Sequence, residues 1–338
     1  VQVRVARLYG VRDLRIGEEP VPVPGAGESL VRVSAVGLCG SDLHWFEEAG
    51  IGDAGLDRPL VPGHEFAGVI EDGPRRGERV AADPAIACGS CQPCRAGQRN
   101  LCLRVRFAGH STDDGALREY LAWPSTLLHP LPDALSDADG AMLEPLGVAL
   151  HALDLGRVRL GGSVAVVGCG PIGLLLVQAA RAAGAGTIIA VDPLPHRRRA
   201  AEKSGADHAW DAIADAELAE RVSATVGPGV DVAFEVAGPD AAVAAAMVAA
   251  RPGARVVLVG IPAVDTTSFP ASLARRKGLT IAMSRRMNEA YPRAIALAGA
   301  GRVDLASLVT DSFPLAAAAA AFPAAVSRAG LKIIVTAG

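Results

Sequence analysis

Lysine is nearly missing from this chain: Lys203, Lys277 and Lys332 are the only three among 338 residues, and the formal net charge is −3. With no positive excess, there is no electrostatic footprint for nucleic acid or for an anionic membrane surface. The other basic residues are arginine, which with the heavy alanine usage points to genome base composition rather than to function. A bilayer-length apolar run is missing too. The most apolar stretch, residues 164–180, is broken by three glycines and a proline and is followed by Arg181, as expected for a buried strand and helix. Residues 1–8 alternate as a strand does and lack the charged-then-apolar layout of a secretory leader. No internal repeat is visible. A cytoplasmic protein with reduced thiols, without membrane or nucleic-acid partners, is the expectation.

Half of the residues are hydrophobic, and the length favours two cores over one. Cysteine is scarce, yet four of the six fall in the run Cys88, Cys91, Cys94 and Cys102, with Gly89, Pro93 and Gly97 between them. Four thiolates so close in sequence can enclose one tetrahedral zinc. A pair of disulfides is the alternative, disfavoured by a reducing compartment and by two-residue spacings. With every position occupied by sulfur, such a zinc would stiffen a loop rather than catalyse.

A second metal pattern lies further towards the N-terminus. Cys39-Gly40-Ser41-Asp42-Leu43-His44 is followed by Gly63-His64-Glu65, which brings a thiolate, an imidazole and a carboxylate into one region. That ligand set suits an open zinc site with a vacant position able to polarise an alcohol oxygen.

The second half changes character. Ser163 to Val167 is a buried strand by pattern, and Gly168-Cys169-Gly170-Pro171-Ile172-Gly173 leads from it into an apolar helix over residues 174–183. A G-x-G-x-x-G between strand and helix is the dinucleotide fingerprint. Gly168 permits the turn, Gly170 admits a pyrophosphate, and Gly173 lets the helix pack against its strand. The next strand, residues 187–191, ends at Asp192, an acid placed for a ribose 2′-hydroxyl and hostile to a 2′-phosphate, which predicts NAD over NADP. Against this, Arg197, Arg198 and Arg199 lie just downstream and one of them could reach a phosphate, but Pro193 rather than an arginine directly follows the acid. Further strands over 230–236 and 254–260, a helix over 240–250, and plausible strands over 207–212 and 279–283 predict an α/β chain with a doubly wound parallel sheet. The alanine run 316–321 predicts an ordinary helix.

Together these motifs, with Glu144-Pro145-Leu146, occur in the order found in zinc-dependent medium-chain dehydrogenases, which the whole chain resembles, and within them it looks like the sorbitol (L-iditol) and polyol dehydrogenase branch. The resemblance implies a GroES-like β-barrel catalytic domain over residues 1–146 and 284–338, and a Rossmann domain over residues 147–283. It implies two zinc ions and NAD, and a homodimer or homotetramer. Cys39, His64 and Glu65 match the catalytic zinc ligands of that branch, Glu65 being also a candidate for a neighbouring group that moves as substrate and water exchange, and Glu144 matches the acid that binds the catalytic zinc or holds its water. Ser41 and His44 match a proton path out of the site, Arg286 matches a contact to polyol hydroxyls, and Trp45, Phe46 and Phe107 are candidates for apolar pocket walls.

The implied reaction moves hydride from a secondary hydroxyl of a small-molecule alcohol to NAD and leaves a ketone. Trp45 and Met287 stand where that branch commonly has tyrosine, which points to another polyol, a sugar acid or a cyclitol rather than sorbitol. The alternatives are an L-threonine 3-dehydrogenase, a simple secondary-alcohol dehydrogenase, or a non-enzymatic nucleotide or redox sensor. Such a sensor would be expected to have lost a zinc ligand, and none is missing.

Overall fold

The computed structural model describes residues 1–52, 54–110, 113–212 and 214–337. The chain folds as two units, Val1–Glu144 with Tyr291–Gly299 and Leu305–Gly338, and Pro145–Ala290 with Ala300–Asp304. Each has a hydrophobic core of its own.

The first unit opens with an antiparallel hairpin, β1 (Gln2–Gly10) and β2 (Asp13–Pro20). It continues through β3 (Glu28–Gly37), α1 (Gly40–Glu48), β4 (Glu65–Asp72), β5 (Arg79–Ala82), β6 (Tyr120–Pro124), β7 (Leu128–Pro130) and the long α2 (Asp137–Gly156). Helix α2 starts on a reciprocal cap: Ser136 N–H donates to Asp139 Oδ2 at 2.9 Å and Asp139 N–H donates to Ser136 Oγ at 3.1 Å, which satisfies amides that the first turn leaves open. The division between the units falls inside this helix, between Glu144 and Pro145.

The second unit alternates strand and helix: β8 (Ser163–Val167), α3 (Pro171–Ala182), β9 (Thr187–Val191), α4 (Pro195–Lys203), β10 (His208–Trp210), α5 (Asp215–Val226), β11 (Val230–Glu235), α6 (Asp240–Ala249), β12 (Ala250–Leu258), α7 (Ala271–Lys277) and β13 (Thr280–Met283). The six strands are parallel, in the order β10-β9-β8-β11-β12-β13. This is the expected doubly wound sheet, with its switch point between β8 and β11. Strands buried on both faces need continuous apolar sequence, and Val-Ala-Val-Val and Ile-Ile-Ala-Val supply it at full or nearly full burial. Helix α3 begins three residues earlier than its apolar pattern suggests, because Pro171 costs nothing at a position whose amide has no helical partner. At the far end of α6, the Lys277 ammonium donates to the carbonyls of Met247, Val248 and Ala250, so one of the three lysines closes a helix terminus.

The chain then returns to the first unit through α8 (Tyr291–Gly299), β14 (Val309–Pro314), α9 (Ala318–Val326) and β15 (Lys332–Thr336). The alanine run expected as a helix enters through a short 3₁₀ turn, Leu315–Ala317, and continues as α9. Strand β15 pairs with β3, completing a sheet ordered β7-β5-β4-β3-β15-β14 with β6 also on β3. Among the described residues no helix is long and apolar enough to cross a membrane.

The two central strands of the second unit are fixed at their starts by a reciprocal lock. Ser163 N–H and Oγ–H donate to Asp231 Oδ2 at 2.9 and 3.0 Å, Asp231 N–H donates to Ser163 Oγ at 3.1 Å, and Arg251 Nε donates to Asp231 Oδ1 at 2.8 Å. The backbone bond from Ser163, helped by Arg251, holds the Asp231 carboxyl below its usual range. A depressed carboxyl contributes stability above its unfolded pKa of about 3.9 and loses it as pH falls through the folded value. Asp231→Asn is therefore expected to cost about 1 kcal/mol at pH 7. It should also make the unfolding midpoint less sensitive to acid below about pH 4, as read by urea titration at pH 7 and pH 3.

Candidate active site

Helix α1 starts directly after Cys39, and β4 starts at Glu65, so strand β3, the helix N-terminus and the Gly63-His64 turn meet at one end of the barrel sheet. Candidate ligand atoms of Cys39, His64 and Glu65 all lie within 4.8 Å of one another. His64 and Glu65 are buried and Cys39 is partly so. A soft thiolate, an imidazole and a carboxylate at this separation fit zinc.

Asp42 organises this group. Its side chain is fully buried. Oδ2 accepts the Cys39 N–H at 2.9 Å, Oδ1 accepts the Gly63 N–H at 3.0 Å, and Oδ1 lies 3.5 Å from His64 Nδ1. Burial would raise the Asp42 carboxyl, but the His64 charge and these bonds carry it below the usual range. For His64 burial works downward, yet Asp42 and the Cys39 sulfur hold the ring well above its ordinary value. With Nδ1 committed to Asp42, Nε2 is the nitrogen left for a metal. Ser41 Oγ lies 3.4 Å from that Nε2.

This group also contains a second buried pair, Lys332 with Glu65 Oε2. Both side chains are essentially without solvent. Gly37 makes room for them, since a Cβ there would collide with Glu65 Oε2 and press on Lys332 Cε. Glu144 does not join the ligand cluster. It lies buried in α2, where burial first, with Glu65 and Asp83 adding to it against His64 and Lys332, raises its carboxyl to about 7. It sits in mid-helix rather than at a helix end, the proline after it being held within α2.

The aromatic candidates separate. The Phe107 ring centroid is 5.2 Å from that of His64, and Trp45 stands edge-on to His110 at 5.5 Å. Phe46, on the same helix, is buried with Trp45 in the core of the first unit and packs against Phe322 at 5.0 Å. His44 is partly exposed, and its Nδ1 is 3.2 Å from Glu48 Oε1. Arg286 belongs to the second unit, with a left-handed backbone at φ 55°.

The four-cysteine lobe also closes as its spacing predicts. All four sulfurs lie within 4.8 Å of one another, with Cys91 to Cys94 at 3.4 Å and Cys91 to Cys102 at 3.9 Å. Zinc–sulfur bonds of about 2.3 Å place tetrahedral neighbours about 3.8 Å apart. None of the cysteines is in a disulfide. A bond from the Ser90 amide and the Arg104 guanidinium take Cys88 down to about 5, while burial and the neighbouring sulfurs push Cys94 up to about 12. Close thiolates repel one another, and a divalent cation makes their coexistence favourable.

In the second unit Gly168 has φ +101°, and a Cβ on Gly173 would collide with the Gly168 carbonyl. The turn and the helix approach that the fingerprint needs are both present. A Cβ on Gly170 would have only Arg197 Nη1 nearby, at 3.8 Å, so Arg197 stands beside the open edge of the turn led by Pro171 and Ile172. Asp192 is buried, its Oδ2 accepting the Cys169 N–H and its Oδ1 the Leu194 N–H, each at 2.8 Å. The site fits a dinucleotide.

Asp42 and Lys332 do not stand out in the sequence as site residues. Asp42 has a signal, an acid three residues after a ligand at a helix start. Lys332 has one too, as a lone lysine heading an apolar strand.

Comparison with known proteins agrees with this geometry. Residues 25–133 match the alcohol dehydrogenase GroES-like domain, and residues 171–300 match the zinc-binding dehydrogenase family. A sorbitol dehydrogenase of Bacillus subtilis is 36% identical, the match covering 93% of this chain and 90% of the relative. A probable D-xylulose reductase A of Arthroderma otae is 37% identical, covering 97% and 95%. An Escherichia coli CFT073 alcohol dehydrogenase solved with NADH superposes with a TM-score of 0.91 at 30% identity, covering 99% of each chain. The chain belongs to the zinc-dependent medium-chain dehydrogenases, in the polyol dehydrogenase branch. It is an NAD-linked, zinc-dependent oxidoreductase.

Removal of metal by a chelator is expected to open the segment from Cys88 to Arg104 to limited proteolysis, and Cys94→Ser is expected to do so without chelator. An identical digestion pattern with and without metal would count against a zinc there.

Proposed function

We propose that this enzyme oxidises a secondary hydroxyl of a polyol or sugar-derived alcohol to the ketone, with NAD as hydride acceptor. The observation that carries the proposal is the convergence of Cys39, His64 and Glu65 around Asp42 in a chain whose relatives are named sorbitol dehydrogenase and D-xylulose reductase. Bound zinc supplies a Lewis acid for the substrate oxygen, and NAD takes the hydride.

The chain's own groups then have distinct work. Cys39, His64 and Glu65 would hold the metal, with Lys332 sharing the Glu65 carboxylate. Ser41 Oγ, next to the metal-facing edge of His64, is placed to take a proton, and partly exposed His44 to pass one towards solvent. Glu144, raised to about 7 by burial, is poised to hold a proton or a water at neutral pH. Trp45 and Phe107 would exclude water beside the site. Arg286 offers the fixed donors that hydroxyl groups accept.

Cys88, Cys91, Cys94 and Cys102 would hold the structural zinc. Gly168, Gly170, Pro171, Ile172, Gly173, Asp192 and Arg197 would hold the dinucleotide, and the two units support a catalytic domain interrupted by a nucleotide-binding one. Work in the cytoplasm as a homodimer or homotetramer completes the reading.

Two measurements test it. A screen of NAD reduction with zinc-loaded enzyme over polyols, sugar acids, cyclitols and L-threonine is expected to show turnover of a polyol or a close derivative. Turnover of threonine alone would reassign the substrate class. Asp42→Ala is expected to weaken zinc retention at the Cys39 site by about 10–100-fold, read as the loss of one zinc per chain in metal analysis after dialysis against a weak chelator. Retention of both ions in the variant would remove Asp42 from its role.

A further inference from the structure

Among the described residues, outside the fingerprint and Asp192, one further charged side chain is fully buried at the carboxyl ends of the parallel strands. Glu235 is the last residue of β11 and is 1% exposed. Its Oε1 accepts the Ala237 N–H at 2.6 Å and the Gly238 N–H at 2.5 Å. Its own carbonyl accepts the Val259 N–H at 2.8 Å and the Gly260 N–H at 3.2 Å. Burial raises the carboxyl, and the amides of Gly238, Ala237 and Gly260 oppose that rise.

These bonds join three loops. The Val236 N–H donates to the carbonyl of Val167, the residue before the fingerprint, at 2.8 Å. A Cβ on Gly168 would stand 2.9 Å from Ala237 N and 3.0 Å from Ala237 Cβ, so the fingerprint turn and the loop after β11 are in direct contact. A Cβ on Gly260 would collide with Gly238 N, so the loops after β11 and β12 are equally close. The turn after β8, residues 236–238 and residues 259–261 therefore interlock, with the Glu235 carboxylate fixing the middle one. Ligands of such sheets bind outside the carboxyl ends of the strands at the switch point, here between β8 and β11.

We infer that Glu235 is a positioning residue for the dinucleotide, holding residues 236–238 as the wall of the nicotinamide half of the crevice. The inference rests on the assignment of the fingerprint as a dinucleotide site and names a residue that the fingerprint does not contain. No contact between Glu235 and the cofactor is required. A carboxylate accepting two backbone amides in the interior keeps them from pointing elsewhere, and its removal leaves both amides without a partner. The adenine half, with Asp192 at the end of β9, lies on the other side of β8 in the strand order, and it is the half expected to keep its affinity when this wall is loosened.

Dissociation constants of NADH and of AMP for the zinc-loaded full chain test it. In Glu235→Ala the NADH constant is expected to rise by about tenfold or more and the AMP constant by less than about twofold. Glu235→Gln, which keeps an oxygen for Ala237 and Gly238, is expected to stay within about threefold for NADH. Thermal unfolding of both ligand-free variants is recorded alongside. An unchanged NADH constant in Glu235→Ala overturns the inference. So does equal weakening of NADH and AMP, which marks general damage, and so does a glutamine variant as poor as the alanine one. Wild-type chain that binds neither ligand would overturn the dinucleotide assignment itself, a result separable from all three.

Discussion

A carboxylate that never meets solvent, that of Asp42, holds the metal-facing end of the first unit together. Cys39 and His64 are 25 positions apart in sequence, yet both are tied to Asp42, one through the Cys39 amide and the other through its ring and the amide of Gly63. An unpaired buried charge costs several kcal/mol. Two backbone amides and an imidazole offset that cost here, and they also fix which nitrogen of His64 faces away. The direction of these candidate ligands thus depends on a residue that need not touch a metal.

Charge balance around that carboxylate explains why the only lysine in the barrel is buried. Asp42, Glu65 and Glu144 are all hidden from water, and Lys332 lies against Glu65. Without the lysine, the site would bury several acids against one imidazole. With it, Glu65 has a buried cationic partner, while burial, with Glu65 and Asp83 adding to it, lifts Glu144 towards neutrality. Positive charge placed among Cys39, His64 and Glu65 would draw Glu144 back to its ionised form.

Legibility in the sequence followed the range of the interactions. The four-cysteine lobe and the glycine fingerprint are local, because spacing and backbone approach are properties of a dozen consecutive residues, and both could be read directly. The parallel sheet was readable from apolar runs of strand length. Partners across distant segments were not: nothing near Lys332 in the chain announces Glu65, 267 positions away, and nothing near Asp42 announces Gly63. Phe46 shows the opposite error. It lies beside Trp45 in a motif rich in chemistry, but successive helix residues point in different directions, and its ring faces Phe322 in the core. Nor does the proline after Glu144 end its helix: α2 runs on through Pro145, at the cost of one backbone hydrogen bond.

One device recurs in both units and accounts for much of what could not be read. Asp42 accepts the amides of Cys39 and Gly63, Asp192 those of Cys169 and Leu194, and Glu235 those of Ala237 and Gly238. Each carboxylate lies where regular structure stops and backbone donors are left without a ladder partner. An acid with two oxygens can satisfy two such donors at once and make a loop as firm as the strand it follows. In one dimension an acid after an apolar strand looks like a solvated end, since nothing in its neighbours says whether it turns outward or back onto the chain. Burial decides between the two, and burial is settled only when the loops of non-adjacent strands close over the same point.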